Sequence, residues 1–217
     1  MFITTRTLKQ FETLLQRITI LMMGYTQDDI DLWNSYSAIK RAGSPAWTDP
    51  IPVNPFYYVR LSYPSDGAPA WKQSEDVVFL RAIEFDHPFN RQREFQDETY
   101  QASPEALIQK ISFTRIVQVF WTCWGTNSFV NAEKIRDGIF IDEISQILER
   151  EKIYPVLDLR SPRRAPELFG GSWWERTDID IMFNELVEKE REIGIIKSAE
   201  IVVENHTGQV AAVEVTE

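Results

Sequence analysis

A mixed α/β domain is what this chain predicts, and two periodicities with one junction carry the prediction. Apolar residues recur at intervals of three and four between Thr7 and Met23, the spacing of a helix buried along one face. From Ile111 to Cys123, and again from Arg176 to Leu186, apolar and polar residues alternate, the period of a half-buried strand. The junction is Gly125, where the first of these strands stops and a helical pattern begins within three residues.

Taken in order, Leu8, Phe11, Leu14, Leu15, Ile18, Leu21 and Met22 make the apolar stripe of a helix over 7–23, with Lys9, Gln10, Gln16 and Arg17 opposite and Gly24 ending it. A second, shorter helix is expected from Thr26 to Lys40, because Asp28, Asp29 and Asp31 suit the positive end of a helix dipole and Ile30, Trp33 and Ile39 give an apolar side. Prolines and glycines between Gly43 and Pro55 break any period, so an extended connection or an arm reaching a neighbour is expected. Phe56 to Tyr63 and Asp76 to Phe85 read as short aromatic-rich strands. Asp86 to Pro104 is polar with isolated aromatics and reads as a long loop.

After the strand at Ile111 and Gly125, Phe129, Ala132, Ile135 and Ile139 place a helix that Asn127 or Ser128 can cap. Asp142 to Arg150 is a further helix and Ile153 to Leu157 a brief strand. Ser161 to Ser172 reads as a loop with a turn at Gly170 and Gly171. In the next strand Ile179, Ile181 and Phe183 oppose Asp178, Asp180, Met182 and Asn184. Glu188 to Glu192 reads as a charged hinge or turn, and Ile195 to Val203 as the last strand. One domain over 1–205 is expected, with its N-terminal helix at 7–23 and its sheet and helices at 56–205, followed by a tail over 206–217 that orders only against something else.

A chain of 217 residues with 43% hydrophobic and 12% aromatic content has the composition of a folded protein. Its net charge of -10 argues against wrapping the outside of DNA, which rests on neutralising phosphates with Lys and Arg. Arg6, Lys9, Glu12 and Arg17 in the first twenty residues fit neither a signal peptide nor a membrane span, so synthesis in the cytosol and no membrane partner are expected. The single cysteine, Cys123, lies in an apolar strand and reads as a buried thiol.

Several groups are candidates for chemistry. Asp178 and Asp180 share a strand face, with Glu185 nearby in sequence, and could hold a divalent metal for a hydrolase or nuclease. Their place opposite the Ile179, Ile181 and Phe183 stripe favours a solvated face instead. Asp28, Asp29 and Asp31 do not complete a calcium loop. A nucleophile relay would have to recruit His87 or His206, and the glycines at 170 and 171 do not open a helix aimed at phosphate. Arg160, Arg163 and Arg164 form a basic cluster that suits an acidic face on a neighbouring subunit better than nucleic acid. Tryptophans at the ends of elements, Trp47, Trp71, Trp124, Trp173 and Trp174, suit interface anchors or core packing.

Together the runs Phe56 to Leu61 with Tyr63, Ser74 to Val78, Asn90 to Arg93, Thr114-Arg115 to Trp124-Gly125 with Asn127-Ser128, Ile135 to Gly138, Pro166 to Phe169 and Trp173 to Arg176 resemble the phage neck and tail terminator family, from Phe56 to near Val203. The resemblance implies an α+β fold, a mostly antiparallel sheet flanked by helices with extended loops and a terminal arm. It implies a virion structural protein assembled in the host cytoplasm, without catalytic residues, metal or cofactor. Such a protein forms a homo-oligomeric ring, a hexamer, at the head-proximal end of the tail. There it ends tail-tube polymerisation and joins the tail to the neck. The tail tube protein is a partner, sheath and neck or connector proteins are further candidates, and DNA passes the lumen without specific binding. Phe89, Arg91, Arg93, Phe95, Arg160, Arg163, Arg164, Trp173 and Trp174 are the candidate subunit, tube or neck contacts. The competing readings are a small metal-dependent hydrolase or nuclease and a monomeric adaptor.

Overall fold

The computed structural model describes residues 3–4, 6–41, 51–62, 71–99, 106–194, 198–204 and 210–216. In chain order the elements are β1 (Ile3–Thr4), α1 (Leu8–Met22), α2 (Gln27–Arg41), the single turn α3 (Pro55–Tyr58), β2 (Val59–Leu61), β3 (Val77–Glu84), a 3-10 turn at Pro88–Arg91, β4 (Glu94–Thr99) and β5 (Ala106–Trp124). Then come α4 (Ser128–Gly138), α5 (Asp142–Arg150), β6 (Ile153–Pro155), β7 (Arg163–Arg164), β8 (Glu167–Phe169), β9 (Ser172–Trp174), β10 (Arg176–Gly194), β11 (Ser198–Glu204) and β12 (Val210–Thr216). The architecture is α+β with a mostly antiparallel sheet; β2 and β3 form a parallel pair. The chain divides into two compact units, one of residues 6–91 and 114–186 and a smaller one of residues 1–5, 92–113 and 187–217.

In the larger unit the strands lie in the order β10, β5, β3, β2, with β6 and β7 also paired to β10. Register explains which face is buried. Val78, Leu80 and Ala82 of β3 stand opposite Cys123, Trp121 and Val119 of β5, and all six are buried with Ile179, Ile181 and Phe183 of β10. Against this face lies α1, whose Phe11, Leu15, Ile18 and Met22 are buried at the expected spacing, together with Ala132, Ile135 and Ile139 from α4 and its exit and Ile144 and Leu148 of α5. Each such large side chain contributes about 1.5–3 kcal/mol on removal from water. Burial pushes the Cys123 thiol pKa up, as an inert thiol requires.

Local chemistry starts the helices where the sequence places them. Thr7 Oγ1 accepts from Gln10 N at 3.2 Å and Gln10 Oε1 accepts from Thr7 N at 2.8 Å, a reciprocal cap. Asp29 Oδ2 accepts from Thr26 N at 2.7 Å, and that bond holds its carboxyl below the usual range. The polar side of α1 is used as well. Glu12 Oε1 accepts from Ala82 N at 2.9 Å and Gln16 Nε2 donates to Val59 O at 2.8 Å, so the helix satisfies backbone groups of the sheet.

The start of α4 differs from expectation. Asn127 makes no side-chain cap of its own, and Ser128 is buried, accepting from Thr177 Oγ1 at 3.2 Å. Asp76, just before β3, reaches across instead: its carboxylate accepts from Asn127 N at 3.0 Å and Asn127 Nδ2 at 2.8 Å. Gly125 lets it approach, with φ +104° and a position where a Cβ would lie 2.6 Å from Glu75 O and 2.8 Å from Asp76 Cα.

Glu185, the third acid of the hydrolase reading, does not share the face of Asp178 and Asp180. It shares the parity of Ile179, Ile181 and Phe183 and is buried at 2% exposure. Arg6 Nη1 meets its Oε1 at 3.1 Å and Arg115 Nε its Oε2 at 2.8 Å, while Arg6 also pairs with Glu151 at the end of α5.

Other expectations are corrected by pairing that leaves no apolar stripe to read. Phe56 to Tyr58 is helical, not strand, because Asn54 Oδ1 accepts from Phe56 N at 3.0 Å and Pro55 presets the first turn. Six residues of the expected loop over 86–104 are β4 (Glu94–Thr99), held to residues 107–112 of β5 by backbone pairing; Glu94, Phe95 and Gln96 are exposed on it. Glu188 to Glu192 is no hinge: β10 continues to Gly194, and Lys189 and Glu190 pair with Thr4 and Ile3 of β1. Within 161–172 lie β7 and β8. Residues 210–216, in the segment expected as a tail, form β12 antiparallel to β11. The extended connection expected over 43–55 falls largely outside the described residues, as do Trp47 and His206.

Gly125→Ala should lower stability by about 2–4 kcal/mol in urea denaturation, since the added Cβ meets both a left-handed backbone and Asp76. Glu185→Ala should cost about 3–5 kcal/mol by the same measurement, because two guanidiniums lose their buried counter-charge.

Candidate functional site

The face of the larger unit's sheet turned away from the helices carries an aromatic assembly that ends in a protruding hairpin. Arg60 on β2 is buried at 5% exposure with its guanidinium 4.4 Å from the Tyr57 ring and 5.8 Å from that of Trp71, and its Nε donates to Tyr57 O at 2.6 Å. Tyr57 Oη donates to Glu75 Oε2 at 2.7 Å; this bond holds the Glu75 carboxyl below its ordinary range and pushes the Tyr57 hydroxyl above its own. Trp71, Trp124 and Trp174 pack mutually at 6.2–6.3 Å between ring centroids. Arg176 lies 5.5 Å from the Trp124 ring and grips both oxygens of Asp178 at 2.8 and 2.9 Å, which raises the guanidinium's pKa.

On this base stand β8 and β9, joined by Gly170 and Gly171 at φ +58° and +82°, the left-handed pair that a two-residue hairpin turn needs. Period two then sorts the hairpin's side chains. Phe169 meets Trp174 edge-on at 5.9 Å on one face, yet is itself 71% exposed. Leu168 and Trp173, cross-strand partners, occupy the other and are 61% and 65% exposed.

The expected contact residues fall into three places. Trp173 and Trp174 are on the hairpin. Arg160 is exposed before it, and Arg163 and Arg164 form β7 beside β10, where Arg164 pairs with Glu175 at 2.8 Å. Phe89 and Arg91 lie on the 3-10 turn of the larger unit; Phe89 is 53% exposed, and Arg91 grips Asp86 at 2.9 Å. That turn is placed by Asn90, which opens the run Asn90 to Arg93 of the sequence resemblance but was not read there as a structural residue. Its side chain donates to Phe85 O and accepts from Ile116 N at 2.8 Å, replacing a strand partner. Arg93 and Phe95 belong to the smaller unit, where Arg93 lies 3.7 Å from the Phe113 ring and Phe95 is 61% exposed on β4.

The acids of the hydrolase reading do not converge. Asp178 is held by Arg176, Asp180 accepts from Gln118 Nε2 at 2.9 Å, and Glu185 is on the opposite, buried face. A cleft of about 390 Å³ includes Asp178 and Asp180 with Arg81, Arg163 and Phe120. Among the described residues no group of three or more His, Cys, Asp or Glu side chains is placed to hold a metal ion.

Residues 42–208 match the family model described as phage neck terminator protein. The chain belongs to that family. The match extends past both ends of the run Phe56 to Val203 that carried the sequence resemblance, and it begins directly after α2. No curated protein matches the chain. As a neck terminator family member it is a structural protein of the bacteriophage neck and tail, working among other neck and tail proteins in the virion. Among the described residues no helix is long and apolar enough to cross a membrane.

The two neighbouring tryptophans should separate cleanly in stability measurements. Trp174→Ala, which removes three aromatic contacts, should cost about 2–4 kcal/mol in urea denaturation, whereas Trp173→Ala should stay within about 0.5 kcal/mol of the parent.

Proposed function

We propose that this neck terminator family member is the subunit of a closed ring of six copies at the head-proximal end of the tail, where it ends tail-tube polymerisation and joins the tail to the neck. The family match over residues 42–208 carries the reading. A rigidly based hairpin with an exposed Leu168 and Trp173 face beside exposed arginines supports it, since such a surface suits assembly rather than chemistry. The net charge of -10 per copy also fits a conduit that DNA slides through without binding. The tube protein is the first partner on this reading, neck or connector and sheath proteins are further ones, and assembly takes place in the host cytoplasm. Beside the hairpin residues, Phe89, Arg91, Arg93, Phe95 and Arg160 are proposed contacts.

Light scattering with negative-stain imaging tests the reading. The expected species is a ring six times the chain's mass of 25.3 kDa, formed alone or on tail-tube ends, and addition of the chain to polymerising tube subunits should shorten the tubes. A chain that stays monomeric at every concentration, with and without tube ends, and leaves tube length unchanged would overturn it.

A further inference from the structure

The smaller unit contains a ribbon of strands with two unlike faces. In it β4 and β1 lie on either side of the leading residues of β5 and the trailing residues of β10. Successive residues of a strand alternate between faces, and contacts across the strands fix which residues share one. On one face Phe95 stands opposite Ile111, and Phe113 carries the Arg93 guanidinium at 3.7 Å and the Lys189 ammonium at 5.4 Å. Arg191 Nε donates to Gln109 Oε1 at 2.8 Å on the same face. On the other face Glu94 stands opposite Ser112, Lys110 lies 3.8 Å from Glu190, and Glu188 shares the parity of Glu190. Among the described side chains the first face therefore sets Arg93, Lys189 and Arg191 around two phenylalanines, and the second sets Glu94, Glu188 and Glu190 around Lys110. Register places one further acid on each, Asp97 opposite Gln109 and Glu98 opposite Ile108, so the difference in sign remains. Both faces are open to contact: Arg93, Phe95 and Arg191 are exposed on one, Glu94, Glu188 and Glu190 on the other.

We infer that the Arg93, Phe95 and Arg191 face of one copy stacks on the Glu94, Glu188 and Glu190 face of the next. The inference rests on the ring proposal and names two of its surfaces. Charge complementarity identifies the occupant. The two faces of one sheet point in opposite directions, so a chain cannot bring its own together, whereas a second copy satisfies both at once. A polyanion would suit the cations alone and leave the acidic face unused. A contact between unlike faces is heterologous, so it repeats head to tail and closes into a ring where the rotation allows. Lys110 does not cancel the acidic face: its exposed pairing with Glu190 is weak, and two further carboxylates stand beside it. Phe95, 61% exposed, supplies apolar area and the charges set register.

Two charge reversals test this. Arg93→Glu with Arg191→Glu makes both faces acidic, and Glu94→Lys with Glu188→Lys and Glu190→Lys makes both basic; circular dichroism and urea denaturation check that each chain folds. Either variant alone should self-associate on the order of a hundredfold more weakly than the parent in light scattering, because like faces meet. Mixed in equal amounts they should recover assemblies of parental size, with the two chains in equal numbers by native mass spectrometry, since every acidic face then meets a basic one. Phe95→Ser, at an exposed position, should weaken self-association about tenfold and decides the matter if a reversal misfolds. Parental rings from either folded reversal alone, no recovery in the mixture, or unchanged self-association of Phe95→Ser would overturn the surface assignment and leave the ring proposal standing. Normal rings of the Arg93→Glu, Arg191→Glu chain with lost tube termination would give that face to the tube protein, and normal rings with weakened binding of a DNA duplex would give it to DNA; either overturns the contact. A parent chain that never exceeds a monomer, with and without tube ends, would overturn the ring proposal and this contact together.

Discussion

A carboxylate buried between two guanidiniums holds the larger unit in one arrangement. Glu185 sits on the core face of β10, and its partners come from the residue that precedes the cap of α1 and from β5. Arg6 continues the chain of contacts to Glu151 at the end of α5. Replacing such a set by well-packed apolar residues is often neutral for stability, so its importance lies elsewhere. Any slip of β10 against β5, or any detachment of α1's leading residues, leaves a buried charge unpaired at a cost of several kcal/mol. Register and helix docking are thereby selected together.

The remaining positions follow from that register. With β5 placed, Trp121 reaches Thr19 of α1 at 3.0 Å, and Thr19 in turn donates to Leu15 O at 2.7 Å, so the buried indole and hydroxyl are both satisfied. The end of β5 delivers Trp124 to the opposite face and Gly125 to the corner where Asp76 receives the start of α4. Trp124 is a floor for Trp174, and Trp174 meets Phe169 of the hairpin, which leaves Leu168, Phe169 and Trp173 exposed. A projecting surface held by aromatic contacts and a glycine turn loses little conformational entropy on meeting a partner, and that economy is what an assembly contact requires.

Elements with one buried face were legible: α1, α5 and the inner parts of β3, β5 and β10 announce themselves by period. Strands held mainly by backbone pairing were not. β4 sets a single exposed aromatic, Phe95, between Glu94 and Gln96, and residues 188–191 of β10 are all charged, so neither stretch shows the alternation that distinguishes a strand from a loop. Glu185 was readable from its parity with Phe183, which places a carboxylate on a core face and demands cationic partners; those partners lie 70 and 179 residues away in sequence. At the hairpin the tryptophan pair was visible as an anchor, but which one points outward depends on the two-residue turn.

Charge placement ties fold and function together. Exposed and half-buried arginines arrive beside carboxylates: Arg91 with Asp86, Arg136 with Asp137, Arg164 with Glu175, Arg176 with Asp178 and Glu167. A passing phosphate would have to displace a tethered carboxylate whose local concentration it cannot match, against the repulsion of a chain at -10. In the proposed ring a neighbouring subunit would face the same displacement, but its apolar side chains would add contact area to offset it. Arginines tethered in this way bind a passing polyanion weakly, which would suit the proposed ring, whose lumen must let DNA slide.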